Sequence, residues 1–143
     1  MALLPARMDS VQARAMLLAI GLQESEFQYR RQIGGPARGY YQFERMGGVY
    51  GVMNHHATGG IAAEVTRRLD YPFQVDVLYD AIENNDTLAT VFARLLLWTI
   101  PAPLPEKLED DIGYFQYLDS WRPGRPHPDR WPSRYAAAWA AVT

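Results

Sequence analysis

The chain has no cysteine, which excludes a disulfide scaffold and a thiolate metal site. It has little net charge: 14 lysines and arginines against 16 aspartates and glutamates leave a formal −2, far from the basic balance of a nucleic-acid-binding protein. A strong positive field toward an anionic polymer is missing too, so any such attraction has to be local. No apolar run is long enough to span a membrane, and Met1 to Arg7 lacks the basic start and extended apolar segment of a secretory leader. The expectation is a chain that stays in the cytoplasm on synthesis and does not insert into a membrane. No internal repeat, low-complexity tract or phosphate-cradling glycine loop is present. His55-His56, with His127 far downstream, has no spaced acidic partner, so these histidines read as loop decoration; neither a metal nor a cofactor is expected.

What is present suits one helical domain over residues 1–143. The composition, 48% hydrophobic and 21% charged, is that of a globular protein with an adequate core. Ser10 is placed to cap a helix from Val11 to Leu22, and Thr58 to cap one from Gly59 to Leu69 that Pro72 stops. Phe73 to Asn84 is amphipathic. Asp86 stands before a strongly apolar run, Thr87 to Ile100, which Pro101 ends; it reads as a core helix whose role is packing. Leu108 to Trp121 and Ser133 to Val142 supply two more helices. Arg30-Arg31 and Arg67-Arg68 read as solvated charge pairs.

Glu24 follows the nearly unbroken apolar run Ala15 to Leu22, whose helix is apolar around most of its circumference and therefore buried on several sides. A carboxyl leaving such a helix loses water, which raises its pKa and lets it hold a proton near neutrality. That property suits a general acid for glycosidic cleavage. The competing reading is a solvated acid near a helix C-terminus. Glu26, two residues on, points to another side of a helix and should not share a cleft with Glu24 equally. Downstream, Gly34-Gly35-Pro36-Ala37-Arg38-Gly39-Tyr40-Tyr41-Gln42-Phe43-Glu44 reads as a loop entering a short extended stretch. Gly39 would allow close backbone approach to a ligand. Of the adjacent tyrosines, one packs inward and the other offers a ring and hydroxyl to a sugar. Gln42 can donate to and accept from an N-acetyl group. An ordinary hairpin with a core tyrosine is the alternative.

These residues carry a resemblance. Gln23-Glu24-Ser25-Glu26-Phe27 followed by Ala37-Arg38-Gly39-Tyr40-Tyr41-Gln42 resembles the signature of the soluble lytic transglycosylases and goose-type lysozymes: Glu-Ser, an aromatic two residues after the serine, then Gly-Ala-x-Gly-Leu-Met-Gln. It covers Ile20 to Glu44. Pro36 stands where the first glycine belongs, Tyr40-Tyr41 replace Leu-Met, and Ile33 fills a position usually small or polar. Tyr117-Leu118-Asp119-Ser120-Trp121-Arg122-Pro123-Gly124 takes the place of the family's Tyr-Asn-Ala-Gly element. The resemblance implies Glu24 as catalytic acid and base, Ser25 as the residue orienting the reaction centre, and Gln42, with Gly39, Tyr40, Tyr41, Tyr117 and Trp121, along the sugar-binding cleft. It implies a mainly α, lysozyme-like single domain with at most a small β-hairpin beside that cleft. The implied activity is cleavage of peptidoglycan between N-acetylmuramic acid and N-acetylglucosamine; without a secretory leader such an enzyme, expected as a monomer, fits a phage or prophage endolysin that a separate holin releases to the cell wall, or a lysin packaged in a virion. Transglycosylation needs one carboxylate; a hydrolytic muramidase usually needs a second, for which Glu44, Asp70 and Asp76 are candidates. Chitin cleavage and a non-catalytic sugar-binding module of a virion are the other readings. Trp121 to Trp131 either walls one end of a sugar groove or anchors to the core.

Overall fold

A computed structural model describes all 143 residues. Seven α-helices follow one another: α1 (Val11–Ser25), α2 (Tyr50–Asn54), α3 (Gly59–Arg68), α4 (Val75–Asn84), α5 (Asp86–Trp98), α6 (Asp110–Trp121) and α7 (Trp131–Val142). The expected mainly α class holds, and strand pairing is confined to the isolated antiparallel bridges Arg31↔Arg38 and Arg38↔Phe43. These fold the Arg31 to Phe43 segment back on itself without forming a sheet. No helix is long and apolar enough to cross a membrane.

One cluster of 28 buried residues forms the core. α1 is central because small side chains alternate with large ones along it: Ala13, Ala15, Met16, Ala19 and Ile20 have no exposed surface. Its start follows expectation, with Ser10 accepting from the Ala13 amide at 3.0 Å. α5 is likewise buried through Leu88, Val91, Phe92 and Leu95. α7 packs along α1 and brings in Trp131, Tyr135 and Trp139.

Several boundaries differ from expectation, each for a local reason. α1 runs three residues past Leu22 and ends only where Glu26 turns left-handed at φ 56°, so Glu24 lies inside the last turn. Thr58 precedes α3 but its hydroxyl donates to Val52 O at 2.7 Å, joining α2 to α3 rather than capping. Phe73 is exposed and outside α4, which starts at Val75. The cap of α5 is Asn85, whose side chain accepts from the Leu88 amide; Asp86 is the first helical residue and the helix stops at Trp98. Leu108 is exposed, and α6 starts at Asp110. α7 begins two residues before Ser133 because Pro132 is tolerated in a first turn. The short helix α2 and the wide turn Arg45–Val49 before it carry no clear sequence periodicity.

Arg30 and Arg31 are not merely solvated. Arg30 grips Asp86 through two bonds of 2.5 and 2.9 Å, and Arg31 grips Glu83 at 2.7 and 3.0 Å. Fork-on-carboxylate pairing of this kind fixes geometry, and here it ties the start of the Arg31 to Phe43 segment to α4 and α5. Arg67 pairs only with Glu64 on its own helix.

Candidate active site

The last turn of α1 meets the Arg31 to Phe43 segment through Ser25 and Phe27. Ser25 is 2% exposed; its hydroxyl donates to Tyr40 O at 2.6 Å and accepts from the Phe27 amide at 3.1 Å. Phe27 folds back over Gly21, where any Cβ would collide with its ring, and meets Tyr40 and Tyr41 edge-on at 5.5 and 6.1 Å. Gly39 has φ +74°, and a Cβ there would lie 2.8 Å from Ile82 O. Its freedom is used for close packing on α4. Gln42, also left-handed at φ 54°, closes the turn: its side-chain amide donates to Gly39 O at 2.9 Å.

Beside this junction lies a cleft of about 760 Å³ lined by Glu24, Glu26, Gln42, Glu44, Tyr117 and Trp121, among others. Glu24 is largely buried, and the Tyr117 hydroxyl donates to its Oε1 at 2.7 Å. Loss of water raises the Glu24 carboxyl; the Tyr117 hydrogen bond, which favours the charged form, pulls it partly back; the Glu44 carboxylate raises it again. The balance stands at about 7. Tyr117 itself is pushed far above the ordinary tyrosine range by burial and by the adjacent Glu24, so it stays a hydrogen-bond donor. It is held flat against Trp131, with ring centroids 5.2 Å apart and planes 11° from parallel. Trp131 in turn donates to Asp110 O at 2.8 Å. A carboxyl that is about half protonated at pH 7, oriented by a phenol and open to a cleft, can deliver a proton and take one back.

The expected site residues fall into three groups. Glu24, Gln42, Tyr117 and Trp121 converge on the cleft. Ser25 borders it but is committed to holding Tyr40 and Phe27, so it positions the helix end. Gly39, Tyr40 and Tyr41 do not line the cleft: Tyr41 is buried at 6% exposure, and Tyr40 carries the Arg30 guanidinium over its ring at 4.3 Å. The residue expected to show its ring to a sugar is thus covered by a cation. Asp76 pairs with Arg45, and neither it nor Asp70 lines the cleft; of the three candidate second acids only Glu44 does.

Glu26 also borders the cleft, because its left-handed φ takes it off the helical repeat, but the two acids do not share it equally. Burial separates the two acids: Glu26 is exposed and bonded to Arg134 at 2.7 Å. Arg134, which also reaches Gln23 O and Oε1, was not legible beforehand, since nothing in its helix distinguishes it from a surface arginine. The two tryptophans of the Trp121 to Trp131 loop divide the two roles considered for it. Trp131, 1% exposed, is an anchor; Trp121 lines the cleft and donates to Tyr41 O at 2.9 Å. The histidines do not converge: His127 lies on the cleft, while His55 and His56 line a different cavity. No family model, curated protein or solved structure matches this chain.

Proposed function

We propose that the protein is a peptidoglycan-cleaving glycosidase acting on the β-1,4 bond between N-acetylmuramic acid and N-acetylglucosamine, with Glu24 as general acid and then base. The observation that carries this reading is the Glu24 carboxyl raised to about 7 and bonded to Tyr117 in an open cleft. Glu24 gives its proton to the bridging oxygen as that bond breaks. The resulting carboxylate then takes the proton of the muramyl C6 hydroxyl, whose oxygen closes on C1 to form the anhydro ring. No water is consumed, and Glu24 ends protonated as it began.

A wall glycan fits the cleft better than neutral chitin. Of its five lining arginines, Arg31 and Arg134 are paired with Glu83 and Glu26, while Arg122, Arg125 and Arg130 have no carboxylate partner. Such cations suit the lactyl and peptide carboxylates that chitin lacks. Glu44 favours a second reading, hydrolysis, because it supplies a carboxylate on the same cleft close enough to act on Glu24. The test is to incubate the protein and its Glu24→Gln variant with purified peptidoglycan and with chitin oligomers and to weigh the soluble products. Anhydromuramyl ends released by the parent alone support transglycosylation, and reducing ends support hydrolysis. Absence of release by the parent overturns both in favour of a binding module.

A further inference from the structure

Arg94, in the middle of the core helix α5, is the only charged residue among the 40 buried ones, at 3% exposure. Its Nε donates to Met8 O at 2.7 Å, and neither of its terminal nitrogens bonds to any group in the chain. The neighbouring acid, Asp9, is held by Arg14 through two bonds of 2.8 and 2.7 Å. A guanidinium largely withdrawn from water without a bonded carboxylate is costly, and its two unbonded terminal nitrogens form a donor edge of the fork geometry that grips phosphate or carboxylate. Burial lowers the Arg94 guanidinium to about 10, with Asp9 opposing, so it is still charged at neutral pH.

Arg94 lines a cavity of about 850 Å³ that shares no lining residue with the Glu24 cleft. A second cation, Arg7, lines it as well, and both guanidiniums face the Trp98 ring, at 5.2 Å for Arg94 and 5.9 Å for Arg7. His55 accepts from the Ala57 amide through Nδ1 at 3.0 Å, which leaves its Nε2–H as a donor. His56 stacks on it at 4.4 Å. One carboxylate, Glu106, also borders the cavity, engaged by Gln12 at 3.0 Å. Ser10, Gln12 and Thr99 line it too, and Leu97, Ile100 and Pro103 give it an apolar stretch. A space of this size exceeds what a bare ion needs and matches a small organic ligand.

We propose that this cavity binds a small amphiphilic organic oxyanion, its phosphate or carboxylate on the terminal nitrogens of Arg94 with support from Arg7 and His55, and its apolar part along Leu97, Ile100 and Pro103. The site is independent of the glycosidase reading. It gives the buried arginine a purpose that packing of α5 does not.

The test is calorimetric titration of the intact protein with n-hexyl phosphate, inorganic phosphate and n-hexanol, with the Arg94 Nε and Trp98 indole resonances followed by NMR. Hexyl phosphate is expected to bind one to one and shift both resonances, with inorganic phosphate and hexanol each at least about tenfold weaker, because each supplies only half of the recognition. Arg94→Gln should weaken hexyl phosphate at least about tenfold, and Arg7→Gln, at an exposed side chain, by about threefold or more. If Arg94→Gln does not fold, Arg94→Lys, which keeps the charge but loses the fork, and Arg7→Gln carry the test. Equal affinity in the parent and Arg7→Gln, hexanol binding as tight as hexyl phosphate, or no response to hexyl phosphate would each overturn the proposal. Sedimentation with anionic-lipid vesicles separates a free ligand from a headgroup: binding to vesicles alone, without binding to soluble hexyl phosphate, would also overturn it.

Discussion

Replacing Glu24 by glutamine should stabilise the protein, and only at high pH. In the fold the carboxyl loses its proton at about 7, against 4.5 for the ordinary group. Between these values folding takes up a proton. The group's contribution is therefore fully present below 4.5, declines as pH rises, and is lost above about 7. The gap corresponds to about 3 kcal/mol of penalty for holding the ionised carboxylate in its partly dry site. Glutamine keeps an oxygen to accept from Tyr117 and removes the ionisation. Glu24→Gln should therefore be more stable than the parent by about 3 kcal/mol at pH 8.5 and within about 1 kcal/mol of it at pH 4.5. Urea unfolding of both proteins at several pH values measures this directly, since the other titrating groups cancel in the difference. A difference that stays flat across the range would mean that Glu24 titrates like a solvated acid, and the case for it as proton donor would fall with it.

Three further outcomes follow from the same geometry. Tyr117→Phe removes the bond that favours the Glu24 carboxylate and should raise its titration, whereas Glu44→Gln removes a repelling charge and should lower it; carboxyl NMR reads both, and shifts in the same direction would contradict the assigned causes. Gly39→Ala forces a side chain into a left-handed position against Ile82 O and should cost about 1–3 kcal/mol in urea unfolding, with unchanged stability refuting the packing role. Ser25→Ala leaves Tyr40 O and the Phe27 amide without their partner and should cost about 1–2 kcal/mol. Its Phe27 amide should exchange faster with solvent, and turnover should fall more than substrate affinity if the serine serves to position the helix end.

The helices were readable where a cap or a run of one pattern marked them. Ser10 and the apolar stretch behind it located α1, and Pro101 bounded the end of α5 to within a few residues. What could not be read was anything that depends on residues far apart in the chain meeting. The importance of Glu24 followed from its apolar neighbours, but the phenol that orients it is 93 positions away. Tyr117 was reached only through the family-like pattern and placed against substrate rather than against the carboxylate. The tyrosine pair misled because alternation assumes an extended strand, while the chain turns there, with Gly39 and Gln42 both left-handed. Arg94 lay hidden in a helix that looks made for packing alone, since one arginine among leucines gives no hint of which way it points.

The stacking of Tyr117 on Trp131 makes the acid hostage to the docking of α7. The same helix supplies Trp131, Tyr135 and Trp139 to the single core, so undocking it would let water in around Glu24, return it to an everyday carboxylate and open the body of the molecule together. Warming should therefore silence the proton donor and melt the body of the protein over the same range, with the emission of the four tryptophans as an optical gauge of that shared loss.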